Sequence, residues 1–225
     1  YILEEPDLNK IMDAIKDFRG TYIYLCGGEP TLREDIFEII SSIKRKGYKV
    51  GLATNGKTLI DPEFVARLKR AGLDSVILQF DTSSDEQYLA LRGELLLSVK
   101  MRAVDNLKAA GIQTQLFVML VKGINIDQIS YLLGYAARYS EVIKVISFNP
   151  VWEMGRFGAH EAMGASEVLA ELERQTDFNF EDMILSTEFG HSLFSILRKL
   201  TKKGGRTHPQ CEIGCYAIID KASAT

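Results

Sequence analysis

Five short apolar runs, beginning near residues 22, 48, 75, 112 and 143, alternate with stretches of helical periodicity. Strict β/α alternation restricts a chain to a parallel sheet covered by helices, because parallel neighbours must be joined by a crossover. The runs cover residues 22–26, 48–53, 75–80, 112–121 and 143–149, and they are as apolar as strands buried on both faces. Helices are predicted over residues 7–18, 31–46, 62–71, 98–110 and 126–139. The second opens on Thr31-x-x-Glu34, a capping-box pattern; the third opens on Asp61-Pro62 and stops at Gly72.

Polar motifs sit where these runs end. The first run closes on Gly27-Gly28-Glu29-Pro30-Thr31. Adjacent glycines let a ligand approach bare backbone, Glu29 sets a carboxylate beside it, and Pro30 fixes φ ahead of the next element. That combination suits a ligand with a cationic amine and an adjoining carboxylate. A phosphate loop would need a Gly-Lys-Ser/Thr ending, which is absent. The later runs close on Thr54-Asn55-Gly56, on Gln79 with Asp81, and on Asn149-Pro150. Successive strands delivering polar groups to one rim favour a β/α barrel, whose sites lie at the strands' C-terminal ends; an open doubly wound sheet is the alternative.

Composition excludes several classes. With 225 residues, 46% of them hydrophobic, the chain can bury a substantial core. A net charge of −3 gives no reason to expect nucleic-acid binding, and no apolar run approaches a bilayer span. The opening residues lack the basic and apolar regions of a signal peptide, so a soluble cytoplasmic protein without a transmembrane segment is expected. Three cysteines are too few for a disulfide framework. Cys26 reads as a small buried hydrophobe, and Arg92 as a structural or substrate-side cation. Asp81 could alternatively cap the segment that begins at Ser84.

After Pro150 the alternation stops. Residues 152–164 look loop-like, 166–176 and 191–202 helical, and 216–219 strand-like. Cys211 and Cys215, four apart with His208 nearby, are soft ligands suited to iron or zinc, although two ligands do not complete a site. His160 and His191 read as surface or packing residues. The chain therefore divides into a barrel portion, residues 1–157, and a C-terminal helical extension with a cysteine-containing tail, residues 158–225.

Taken together, these motifs resemble the radical S-adenosylmethionine (SAM) superfamily. Gly27-Gly28-Glu29-Pro30 is similar to that superfamily's glycine-rich motif. Thr54-Asn55-Gly56, Gln79-Phe80-Asp81 with Arg92-Gly93, Lys122-Gly123 and Asn149-Pro150 with Gly155-Arg156 fall in register with its later strands. The resemblance implies a partial (β/α)6 TIM-like barrel lacking its first strand, with SAM and a 4Fe–4S cluster as cofactors. It implies reductive cleavage of SAM to a 5′-deoxyadenosyl radical for hydrogen abstraction, driven by a donor such as ferredoxin or flavodoxin. It places the Gly27 and Gly28 backbone with Glu29 at the methionyl amine and Pro30 in the same cofactor-binding turn, Thr54, Asn55, Gln79 and Asp81 near the ribose and carboxylate, and Asn149 near the adenine. The Leu78-Gln79-Phe80-Asp81 string and the late His208-Pro209-x-Cys211 look like the subgroup of tetraether lipid synthase and archaeal pterin-methylating enzymes. That subgroup implies C–C bond formation or methylation on a lipid or pterin-like small molecule, and it allows Cys211 a place in an auxiliary cluster.

The chain departs from the family pattern at one point. Cys-x3-Cys-x2-Cys, the cluster motif, does not occur in these residues. Its expected place is directly before residues 7–18, so the first strand and cluster loop are expected upstream of Tyr1, leaving this portion inactive alone. Two other readings stand beside the enzyme: a non-catalytic SAM- or nucleoside-binding module that has lost its cluster, and a barrel enzyme of other chemistry.

Overall fold

A computed structural model describes residues 5–14, 22–151, 163–177 and 215–218. Helix α1 (Glu5–Ala14) precedes strand β1 (Tyr22–Leu25), and α2 (Ile36–Arg45) leads to β2 (Lys49–Thr54). Helix α3 (Pro62–Ala71) leads to β3 (Ser75–Gln79). Helices α4 (Asp85–Arg92) and α5 (Leu97–Ala109) together connect to β4 (Gln113–Leu120). Helix α6 (Ile129–Arg138) leads to β5 (Ile143–Pro150), and α7 (Ala165–Gln175) and β6 (Cys215–Ile218) complete the described elements. Residues 191–202, Cys211, His160 and His191 lie outside the described residues.

The sheet order is β1-β2-β3-β4-β5-β6, with β1 to β5 parallel and β6 antiparallel to β5. This monotonic order decides between the two predicted architectures. Crossovers between parallel strands are right-handed, so steps that always advance in one direction put every connecting helix on the same face. A doubly wound sheet needs a reversal, and there is none among the described strands. The sheet therefore has a helix-covered face and an inner face, as in a TIM-like partial barrel.

Burial alternates accordingly. Val50, Leu52, Val76, Leu78, Leu116, Val118, Ile146 and Phe148 point to the helices and are at most 1% exposed. Their alternates, including Ile77, Gln79, Gln115, Phe117, Met119 and Asn149, are only half-buried on the inner face. Opposing helices fill the other side of the core with Ile40, Ile43, Val65, Leu68, Val104, Leu107, Leu132 and Ala136. Met163, Val168 and Leu172, from and beside α7, join the same cluster.

Local signals account for most boundaries. The Asp61 side chain accepts from the Glu63 N–H, Pro62 occupies the first turn of α3, and Gly72 closes it in the left-handed conformation. The Thr31 capping box does not form. Instead Pro30–Leu32 is a single 3-10 turn and α2 starts at Ile36. The reason is competition: the Thr31 N–H and hydroxyl both donate to the Glu29 carboxylate, a charged acceptor that outweighs a helix cap. Helix α4 was not among the sequence expectations. It is short and buries only Tyr88 and Leu91, yet it is well bounded, with Ser84 capping the Gln87 N–H and Gly93 left-handed at its end. Ser84, not Asp81, is thus the cap. Cys26 is exposed rather than buried, because β1 borders the described sheet and Cys26 shares the period-2 face of exposed Tyr22 and Tyr24.

Candidate functional site

Glu29 anchors the rim formed by the strand ends. Its Oε1 accepts the Thr54 hydroxyl at 2.7 Å and the Thr31 hydroxyl at 2.6 Å, and its Oε2 accepts the Asn55 N–H at 2.8 Å. One carboxylate thereby ties the end of β1 to the end of β2. Oε2 has a single donor among the described residues, so an acceptor position remains on it for an incoming amine. Gly27 and Gly28, with φ of 97° and 52°, precede it. A Cβ built at either would meet nothing within 4 Å, so open space lies beside this backbone.

Asp81 is the second node. It is fully buried, and it accepts Gln79 Nε2 at 2.8 Å, Arg92 Nε at 3.0 Å and the Met119 N–H at 3.0 Å. Arg92 is thus a structural cation. Asn125, also fully buried, uses its whole amide: Nδ2 donates to the Asp81 and Met119 carbonyls, and Oδ1 accepts the Val121 N–H. These two side chains join the end of β3 to the end of β4. The Tyr88 hydroxyl accepts the Asp81 N–H at 3.1 Å; burial first, and then the Asp81 charge, push that phenol well above its ordinary range.

Between these nodes lies Lys100, a buried cation. Its ammonium donates to the Asn55 carbonyl and sits 5.9 Å from the centre of the Tyr88 ring. Burial lowers its pKa to about 8, with Arg92 and Lys57 adding to the fall, while Asp81 and Glu29 oppose it. Sequence reasoning missed this residue, although a signal was present. Lys100, Ala103, Val104 and Leu107 form one helical stripe, so a lysine occupies an apolar position of α5.

Ser147, Gln115 and Asn149 form the third node, on the inner face of β4 and β5. The Ser147 hydroxyl donates to the Leu116 carbonyl and accepts from Gln115 Nε2 at 3.2 Å and Asn149 Nδ2 at 3.3 Å.

Of the predicted site residues, the structure brings Gly27, Gly28, Glu29, Pro30, Thr54 and Asn55 to one corner of the rim, with Gln79 and Asp81 at the end of β3 and Asn149 near the end of β5. Cys215 begins β6, with its Cα opposite Phe148, whereas Cys211 lies outside the described residues. Among the described residues no three His, Cys, Asp or Glu side chains cluster as metal ligands, and no helix is long and apolar enough to cross a membrane. The corner fits the aminocarboxylate end of SAM: exposed backbone amides, open space where side chains would stand, and a carboxylate with one acceptor position remaining.

Known proteins resemble this chain in sequence and in fold. The chain is 32% identical to the 7,8-dihydro-6-hydroxymethylpterin dimethyltransferase of Methanocaldococcus jannaschii, over 96% of this chain and 46% of that protein. It is 29% identical to the mycofactocin maturase MftC of Mycolicibacterium smegmatis, over 66% of this chain and 38% of that one. It is 32% identical to a probable GTP 3′,8-cyclase of Pyrococcus abyssi, over 59% and 42%. The chain thus spans less than half the length of these relatives. In fold it is similar to Streptococcus suis SuiB bound to S-adenosylmethionine, with a TM-score of 0.64 at 19% identity over 76% of this chain and 40% of that one. It is also similar to anSMEcpe with bound AdoMet and a peptide, with a TM-score of 0.59 at 19% identity over 82% and 54%. The superfamily-wide sequence pattern matches residues 1–136. On that match, and on the parallel barrel sheet that carries it, the chain belongs to the Radical SAM superfamily of enzymes.

Proposed function

We propose that this chain is the SAM-binding core of an enzyme that uses the 5′-deoxyadenosyl radical to abstract hydrogen from a small-molecule substrate. The observation carrying the proposal is the Glu29 corner, where exposed glycine backbone adjoins a carboxylate already fixed to the neighbouring strand. Glu29 Oε2 and the Gly27 and Gly28 carbonyls hold the methionyl amine. The side chains of Asn55 and Gln79 orient the carboxylate and ribose, Thr54 and Asp81, both buried and bonded to protein partners, hold them in place, and Asn149 borders the adenine. A 4Fe–4S cluster, when bound, would supply the electron that cleaves SAM. The inner face of β3 to β5 excludes water around the reacting carbon through Ile77, Phe117 and Met119. Likeness to the pterin dimethyltransferase supports methylation of a pterin-like substrate; the subgroup resemblance of the motifs supports C–C bond formation on a lipid as the second reading. A ferredoxin or flavodoxin is the reductant, and Cys211 with Cys215 contributes to an auxiliary metal site.

Calorimetric titration with SAM tests the corner directly. The wild-type chain should bind, and Gly28→Val should weaken binding at least tenfold, because its side chain fills the open space. Absence of SAM binding, or equal affinity in the variant, would overturn the assignment. Anaerobic iron–sulfur reconstitution of the complete protein should then release 5′-deoxyadenosine from SAM.

A further inference from the structure

Arg92 pairs with Asp81, and Lys57 pairs with both carboxylate oxygens of Glu94 at 2.6 Å. Lys100 makes no ion pair among the described residues. Its side chain is fully buried, and its ammonium spends one N–H on the Asn55 carbonyl and faces the Tyr88 ring. The other two N–H groups meet no acceptor among the described residues. Asp81 and Glu29 act on it electrostatically, but the charges of Arg92 and Lys57 offset theirs. A buried charge without a partner is a standing cost, relieved when an opposite charge arrives.

Asn55 shows where such a charge would sit. Its N–H donates to Glu29 Oε2, its carbonyl accepts from Lys100, and its Oδ1 accepts the Lys57 N–H at 2.9 Å. That last bond fixes which way the amide is turned, because a backbone N–H can only donate. Asn55 Nδ2 is left half-buried, with no partner among the described residues. The corner thus offers an acceptor, Glu29 Oε2, and a donor, Asn55 Nδ2, with an uncompensated positive charge behind the donor. An amine next to a carboxylate matches that order.

We infer that Lys100 is a positioning residue for the carboxylate of SAM: it fixes the Asn55 turn whose NH2 group receives that carboxylate, and it supplies the buried countercharge from behind without touching the cofactor. The inference rests on the SAM-binding reading and adds to it a residue of α5, outside the strand-end motifs. It has a consequence in protons. Burial holds the Lys100 pKa at about 8 in the free protein, and a nearby carboxylate favours the charged form. Binding of SAM at about pH 8.5 therefore draws a proton from the buffer onto Lys100 Nζ.

Calorimetric titration of the 225-residue chain with SAM and with decarboxylated SAM, which keeps the sulfonium, amine and adenosine, tests the role. Wild type should favour SAM about tenfold. Lys100→Met should lose most of that preference, with its affinity for decarboxylated SAM changed less than twofold. Thermal melting checks folding; if Lys100→Met does not fold, Lys100→Gln replaces it under the same criteria. Repeating the SAM titration at about pH 8.5 in buffers of different ionisation enthalpy counts protons. SAM's own α-amine, with a pKa of about 8, contributes to both proteins alike, so the extra uptake expected in wild type belongs to Lys100. Equal losses for the two ligands would make Lys100 merely structural and overturn the inference, as would equal proton uptake in wild type and variant. Failure of wild type to bind either ligand would instead overturn the SAM-binding reading itself.

Discussion

The Glu29 carboxylate accepts the Asn55 backbone N–H at 2.8 Å across two neighbouring strands, so the glycine turn after β1 is positioned by the residue that follows β2. Replacing Glu29 with Gln puts an NH2 group among the Thr31, Thr54 and Asn55 donors. Urea unfolding should show a stability loss of about 1–3 kcal/mol with an unchanged m-value, and SAM affinity should fall with it.

The Asp81–Arg92 ion pair has one partner, Asp81, fully buried and the other, the Arg92 side chain, 20% exposed. Arg92→Leu leaves an uncompensated buried carboxylate and should destabilise by about 3 kcal/mol. Adding Asp81→Asn should recover part of that loss. A double-mutant cycle from denaturant unfolding should give a coupling above about 1 kcal/mol; additive single effects would contradict the pairing.

Lys100 makes stability depend on pH in an unusual direction. Its folded pKa, about 8, lies below the ordinary lysine value of 10.5, so between these values the unfolded chain binds more protons than the folded one. This group therefore raises stability as pH climbs from about 8 to about 10.5, by about 3 kcal/mol in total. Lys100→Met should lack that increment when wild type and variant are unfolded in urea across the interval. Equal slopes would show that the ammonium is not desolvated as described.

Gly56 follows the Thr54-Asn55 motif with φ of 78°, and a Cβ there would stand 2.5 Å from Leu78 Cδ1. Gly56→Ala should cost about 2–4 kcal/mol through backbone strain and overpacking, read as a lowered melting temperature.

Much of this was legible beforehand. The period of the apolar runs predicts all five parallel strands, and Asp61-Pro62 with Gly72 predicts both ends of α3, because these signals act within a few residues. The failures are instructive for the same reason. Thr31 reads as a helix cap until a carboxylate two residues earlier competes for it. Helix α4 carries too few buried residues to show a period. Lys100 and Asn125 act through partners 45 and 44 positions away, a distance over which no local pattern informs.

The uninterrupted strand order has a consequence for how the molecule is made. Tyr22 pairs with Lys49, and Gly51 with Ser75, so each strand closes onto the unit immediately before it in the chain. A polypeptide leaving the ribosome can seat each new βα unit against a completed neighbour, with only a modest loop-closure entropy at every step. Strand β6 differs, since Tyr216 must return to Ser147 across a long intervening stretch. Growth of the sheet is thus sequential up to β5, whereas β6 can join only after the residues between them have been made.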